Sequence, residues 1–254
     1  MKEKKKIKGK LEILTPQGLE SGDKPRKMLM KKKKSACVLC GECCRGGGPV
    51  LMKGDMELFL SGVLSHDTTY TVREGELIRT QGDGEVFEAP LELIKIKGKA
   101  GSPECVFYRA KGQCAIYENR PSQCRAYKCW APEDVLTGLE KERMVRKHIF
   151  GSVDLLLEAM GKHEEKCSYQ KLAEAFEKVA QGSEEAVEDI LDMLQYDTYI
   201  RPFLQEKYSV PESALDLLLG RPLADTIQAF GFKVERSGDE YVLAAIEEKK
   251  EGQK

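Results

Sequence analysis

Apolar residues change their spacing twice along this chain, and each change marks a change of element. Asp55 reads as the N-cap of a short helix, Met56 to Val63, with Met56, Phe59, Leu60 and Val63 on one face. Residues 70 to 97 carry short alternating stretches, with Val86, Leu91, Leu93, Ile94 and Ile96 around a Gly82-Asp83-Gly84 turn, the pattern of a β-hairpin or meander. Cys105 to Tyr108 and Cys114 to Tyr117 read as two strands joined at Lys111-Gly112, a hairpin that would hold Cys105 near Cys114. Pro121 then suits the first turn of a helical piece.

From about Pro132 the period becomes helical. Val145, Ile149, Val153, Leu156 and Met160 form one stripe; Leu172, Phe176, Val179 and Ala180 a second; Val187, Ile190, Leu191 and Leu194 a third. Gly161 and Gly182 read as stop signals between them. Two short helices follow, Pro211 to Leu219 before Gly220 and Leu223 to Phe230 before Gly231. A last hairpin pairs Phe232 to Arg236 with Tyr241 to Ile246. The expected fold is α+β: a small Cys-rich half of hairpins and irregular chain over 36–131, then a mainly helical region with a terminal hairpin over 132–246. A basic disordered tail over 1–35 and a short tail over 247–254 complete the division.

Composition changes this picture in two places. The 254 residues are 41% hydrophobic, enough for a buried core, and the net charge is −1. Residues 1–35 nevertheless hold 13 Lys or Arg against 4 Asp or Glu, so +9 at this end leaves −10 for the rest. That stretch reads as a solvated tail with one transient strand at Leu11 to Leu14; the alternative is an arm that makes weak contact with a polyanion. No signal-peptide core and no run near the roughly 18 apolar residues of a membrane span is present, so a cytoplasmic protein with no membrane partner is expected.

Cysteine changes it most. Nine thiols cannot all pair, and four of them fall within eight residues, Cys37, Cys40, Cys43 and Cys44, in C-x2-C-x2-C-C spacing. In a reducing compartment such a cluster reads as a metal site. Thiolates bind soft or borderline metals, and cysteines two residues apart present both sulfurs to one ion, with Gly41 free to turn the following N–H groups back on them. The Arg45-Gly46-Gly47-Gly48-Pro49 turn could likewise aim amides at sulfur or an anion. Cys43 and Cys44, being adjacent, are expected to point apart and face two sites or two metals of one cluster. Cys105, Cys114, Cys124 and Cys129 bring the candidate ligands to eight, enough for a [4Fe–4S] cluster, zinc, or two such sites.

The segments CVLCGECC, PECVFY and GQCAIYENRPSQCRAYKC together resemble the YkgJ-type cysteine cluster proteins, whose CxxCxxCC segment is regarded as a zinc- or iron-chelating domain and is often labelled iron–sulfur containing. The resemblance covers roughly residues 36–130 and implicates Cys37, Cys40, Cys43, Cys44, Cys105, Cys114 and Cys124, with Cys129 at a more variable position.

Around these ligands, Arg120 and Arg125 flank Cys124 and are candidate cofactor-contacting residues; they could offset the charge of a thiolate-bound cluster, or Arg120 could anchor its turn to a carboxylate or carbonyl. Tyr117 reads as core and Trp130 as a shield. Cys167 lies four residues after His163 and reads as a lone thiol beside a surface histidine, with an extra ligand pair as the alternative. His66 and His148 have no visible partner.

Two function classes follow. The first is an iron–sulfur protein, [4Fe–4S] foremost, with a redox or electron-transfer role, conceivably an oxidoreductase, and an unidentified redox or protein partner. The second is a zinc-stabilised binding module whose basic tail contacts nucleic acid or an acidic protein. Flagellin lysine N-methylases contain a similar CxxCxxCC segment, so a lysine methylase-like enzyme is a remote third reading. No hydrolase, zincin or phosphate-loop motif is present.

Overall fold

The computed structural model describes residues 37, 39–79, 86–127, 142–237 and 240–246. The expected strand at Leu11 to Leu14, the Gly82-Asp83-Gly84 turn, Cys129, Trp130 and both tails lie outside the described residues. Residues Ala36–Lys254 form one compact unit. Its architecture is α+β: helices combined with antiparallel sheets of two strands each among the described residues.

The expected meander is a nested hairpin. Strand β1 (Thr69–Val72) pairs with β4 (Leu93–Ile96), Thr69 opposite Ile96 and Val72 opposite Leu93. Inside that pair, β2 (Leu77–Arg79) meets β3 (Val86–Glu88), Leu77 opposite Glu88. Two backbone bonds join the layers: the Gly75 N–H donates to Ala89 O and the Ala89 N–H to Glu76 O. Ile94 and Ile96 point one way from β4 and are fully buried with Leu51, Leu64, Met144 and Leu217. The last of these comes from a helix late in the chain, whose Leu217 carbonyl accepts the buried Thr71 hydroxyl at 2.7 Å.

The helical stripes are cut differently from their sequence pattern. The first splits in two, α4 (Arg146–Phe150) and α5 (Asp154–Lys166), because the chain is extended at Val153, which is 43% exposed. Gly161 does not stop a helix: it lies inside α5, and the helix ends at Cys167. An interior glycine costs only about 1 kcal/mol against alanine, less than the buried contacts of Met160 and His163 on the same helix contribute. Ser168 and Ser183 then cap α6 (Tyr169–Ala180) and α7 (Glu184–Tyr208), each hydroxyl accepting a first-turn N–H. Leu172 and Phe176 of α6 pack on Ile190 and Leu194 of α7, while Ala180 is exposed. Helix α7 runs 25 residues, through Pro202. Helix α8 (Glu212–Leu218) returns the chain to β1, and α9 (Leu223–Thr226) leads through a 3-10 turn to the hairpin of β7 (Phe232–Ser237) and β8 (Glu240–Ala245). Met56–Leu60 forms α2, shorter than its apolar pattern. No helix among the described residues is long and apolar enough to cross a membrane.

Buried charge links the strands to the helices. Arg146, 6% exposed, donates from its backbone N–H and Nε to the two Glu92 carboxylate oxygens at 2.7 and 2.9 Å, and from its terminal nitrogens to Leu218 O and Glu164 Oε2. Arg73, fully buried, lies over the Tyr169 ring, donates to Cys167 O at 3.0 Å and stands 3.6 Å from the same Glu164. Removing one partner from a buried pair costs about 3–5 kcal/mol. Arg146→Ala is therefore expected to lower unfolding free energy by about that much in urea titration. Lys162→Ala, which breaks only a surface pair with Glu158, should leave the midpoint unchanged.

His163 is buried, contrary to its reading as a surface residue, and its Nε2–H donates to Asp197 Oδ1 at 2.8 Å. Burial pushes its pKa down, so the ring is neutral and the partnerless Nδ1 carries a lone pair. Burial alone would raise the Asp197 carboxyl, but the His163 hydrogen bond and the Arg201 guanidinium outweigh it and hold the group at about 2. Both folded pKa values lie below the unfolded ones of about 6.5 and 3.9, so both contributions are complete above those values and shrink as pH falls. Acid titration of stability should show one loss beginning near pH 6.5, absent in His163→Gln, and a second below about pH 4.

Candidate metal centre

Three stretches of chain meet at one cavity. The first runs from Cys37 through Cys40 to α1 (Glu42–Arg45), which contains Cys43 and Cys44. Gly41 takes φ +76 at the N-cap, the positive φ that its position directly after Cys40 suggested, and the Tyr108 ring packs where its Cβ would be. The second stretch holds Cys105 and Cys114. The expected hairpin turns where predicted, but its strands are only β5 (Tyr108–Arg109) and β6 (Gln113–Cys114), with Tyr108 opposite Cys114. Cys105 is not on that hairpin. It bridges to Gly98, and its N–H donates to Cys44 O at 2.8 Å, which ties it to α1 instead.

Gly112, also left-handed at φ +78, lets the first stretch lie on this hairpin: a Cβ there would stand 1.6 Å from Leu39 O. The third stretch is α3 (Ser122–Ala126), which carries Cys124. Its position is set by two residues that the sequence offered no reason to connect with the site. Asp55, read as a helix cap, stands at the N-cap of α2 but gives that helix no side-chain bond; it is fully buried, its Oδ2 accepts the Met52 N–H at 2.9 Å, and its Oδ1 accepts both the N–H and the hydroxyl of Ser122 at 2.7 Å. Gln123 accepts the Val50 N–H at 2.6 Å, fixing the other side of α3.

The resulting cavity, about 710 Å3, is lined by Cys37, Cys40, Cys43, Cys44, Cys105, Cys114 and Cys124, all seven of the described candidate ligands. Cys37, Cys40 and Cys43 are exposed, Cys105 is buried, and the others are half-buried. Cys43 and Cys44 do not point apart. Their sulfurs are 4.0 Å from each other, close to the edge of about 3.8 Å that a tetrahedron with ~2.3 Å metal–sulfur bonds would have. The Cys44 S–H directed at Cys43 lowers the Cys43 thiol to about 6 and raises Cys44. Burial pushes Cys105 up, and Cys124 to about 12.

As placed, no three His, Cys, Asp or Glu side chains among the described residues stand close enough around one point to hold an ion. The donor chemistry nonetheless fits zinc or iron. The wall offers seven thiols and a single carboxylate, Glu42, which is engaged by Arg45. Metal uptake would have to displace the thiol protons and draw the sulfurs inward.

The other candidates separate. Arg120 lines the cavity; its Nε donates to Tyr117 O at 2.8 Å and its guanidinium lies 3.6 Å from the Tyr117 ring centre, so Tyr117 is a half-exposed platform rather than core. Arg125 does not line it: exposed, it sits 3.4 Å from Ser122 Oγ and 4.0 Å from Asp55. Cys167 belongs to the core between α6 and α7, its S–H directed at Met193 O, and His163 is engaged by Asp197, so neither joins the cavity. His66 and His148 have partners after all: Ser213 Oγ at 2.8 Å and the Val145 N–H at 3.1 Å.

Gly112→Ala should detach the Cys37–Cys40 stretch. Left-handed strain alone costs roughly 1–2 kcal/mol, before the clash with Leu39 O. Faster thiol labelling at Cys37 and Cys40 and weaker zinc retention, with unchanged helical circular dichroism, are the expected readouts.

No curated protein and no solved structure matches the chain. Residues 36–168, just over half of its length, match the family model described as "CxxCxxCC: Putative zinc- or iron-chelating domain". That span takes in every thiol of the cavity and the Asp55 and Gln123 that position them, and the chain belongs to the CxxCxxCC family.

Proposed function

We propose that this metal-chelating protein holds an iron–sulfur cluster at the thiol-lined cavity and serves in electron transfer. The observation that carries this reading is the number and origin of the thiols: seven, from three separate stretches, around one opening. A single structural zinc needs four. The surrounding fold also has its own supports, the Asp55 and Gln123 anchors and the apolar core of Leu51, Ile94, Ile96 and Leu217, so a metal is not needed merely to hold these segments together.

Cys43, Cys44, Cys105, Cys114 and Cys124 would supply the ligands held on secondary structure or tied to it, with Cys37 and Cys40 on the exposed approach. A bound cluster would supply one-electron chemistry. The chain's part is to present thiolates, exclude bulk water on the side of buried Cys105, and leave the Cys37–Cys40 side open to a redox partner.

Purified without oxygen, the protein should be brown and contain iron and acid-labile sulfide; Cys124→Ser should lose most of both, and Cys167→Ser should retain them. A colourless protein carrying stoichiometric zinc and no sulfide would overturn the iron–sulfur reading in favour of a zinc-stabilised module.

A further inference from the structure

A thiolate metal centre is negatively charged: four thiolates on one Zn2+, or on a [4Fe–4S] core of charge 2+, leave about −2. Sealed against protein on one side, that charge needs a nearby positive partner, because a low-dielectric wall screens it poorly. The cavity wall carries two cations, Arg45 and Arg120. Arg45 is already committed, with one terminal nitrogen on Glu42 and the other on the Tyr108 hydroxyl. Arg120 is not. Its Nε is used by Tyr117 O and its flat face by the Tyr117 ring, but its two terminal nitrogens have no acceptor among the described residues.

The geometry also holds Arg120 in place rather than leaving it to swing into solvent. Its side chain is clamped on Tyr117, and it directly precedes Pro121, the N-cap of α3, whose helix bears Cys124. The anchors that place Cys124, Ser122 on Asp55 and Gln123 on Val50, therefore also place the guanidinium. Arg125, one residue beyond Cys124, is directed away to Asp55 and Ser122 and is half-exposed.

We propose that Arg120 is the positioning residue that supplies the positive charge offsetting the thiolate-bound metal, and so sets how tightly the metal is held. This rests on the metal-binding reading above, with either iron or zinc. The guanidinium is stacked with Nε occupied and both terminal nitrogens available, an arrangement that presents charge and two donors to the sulfurs without a carboxylate competing for them.

The test uses Zn2+ alone, titrated into the reduced, metal-free full chain against a chromogenic chelator, with thermal unfolding of the metal-free protein measured in parallel. Arg120→Gln should weaken Zn2+ binding by about 10- to 100-fold, the range for lost outer partners of a metal site. Arg120→Lys, which keeps the charge but not the stacked planar fork, should bind more tightly than Arg120→Gln, and Arg125→Gln should match wild type. Equal affinity in wild type and Arg120→Gln would overturn the inference. So would a tenfold loss in Arg120→Lys matching a drop in its metal-free melting temperature, since that pattern marks a stacking role rather than a charge. If Arg120→Gln fails to fold, Arg120→Lys still decides on those terms. A wild-type chain that takes up neither Zn2+ nor iron would overturn the metal reading itself, an outcome separate from either of these.

Discussion

Two buried guanidinium groups hold this molecule together. Glu164 of α5 stands between Arg146 and Arg73; Glu92 and the Leu218 carbonyl complete the surroundings of Arg146, while Arg73 has the Cys167 carbonyl and the Tyr169 ring and keeps its Nε and one terminal nitrogen without a hydrogen-bond partner. These partners come from before β4, from α5 and from the ends of two helices more than 70 residues away. Pairing the two charges therefore requires the strand region and the helices to fold against each other. The Thr71 bond to Leu217 and the shared burial of Leu217 with Ile94 and Ile96 reinforce the same junction.

The thiol-lined cavity depends on this junction indirectly. Its walls are short: a four-residue helix, two-residue strands and a five-residue helix, none of which could persist alone. They are held by single polar contacts to better-packed chain. Asp55 and Gln123 hold α3, the Cys44 carbonyl holds Cys105, and Gly112 receives the Leu39 carbonyl. Such contacts fix positions to within a hydrogen bond's tolerance yet leave the thiols other than Cys105 outside the tightly packed core. That suits a site whose sulfurs must give up protons and close on an ion.

Legibility in the sequence followed the range of the interactions. The C-x2-C-x2-C-C run, the Lys111-Gly112 turn and the stop at Gly182 are local, and their residues could be read in place. Several misreadings involved distant partners. Asp55 does stand at the N-cap of α2, but its carboxylate is also taken by Ser122, 67 residues away. His163 looked like a surface residue because Asp197 is 34 residues away. The stripe from Val145 to Met160 looked continuous because periodicity records which positions are apolar, not that the chain runs extended at Val153.

The sequence by itself determined the chemistry: nine thiols, their spacing, a basic first 35 residues, and elements whose caps and turns lie within a few residues of each other. Tertiary structure alone decided the membership of the site. It placed Cys43 and Cys44 on one cavity instead of two, assigned Arg120 to its wall and Arg125 to a surface contact, and sent Cys167 into the helical core. The physical reason is that side-chain direction in such short, irregular segments is set by where each segment is anchored, and the anchors are far away in the chain.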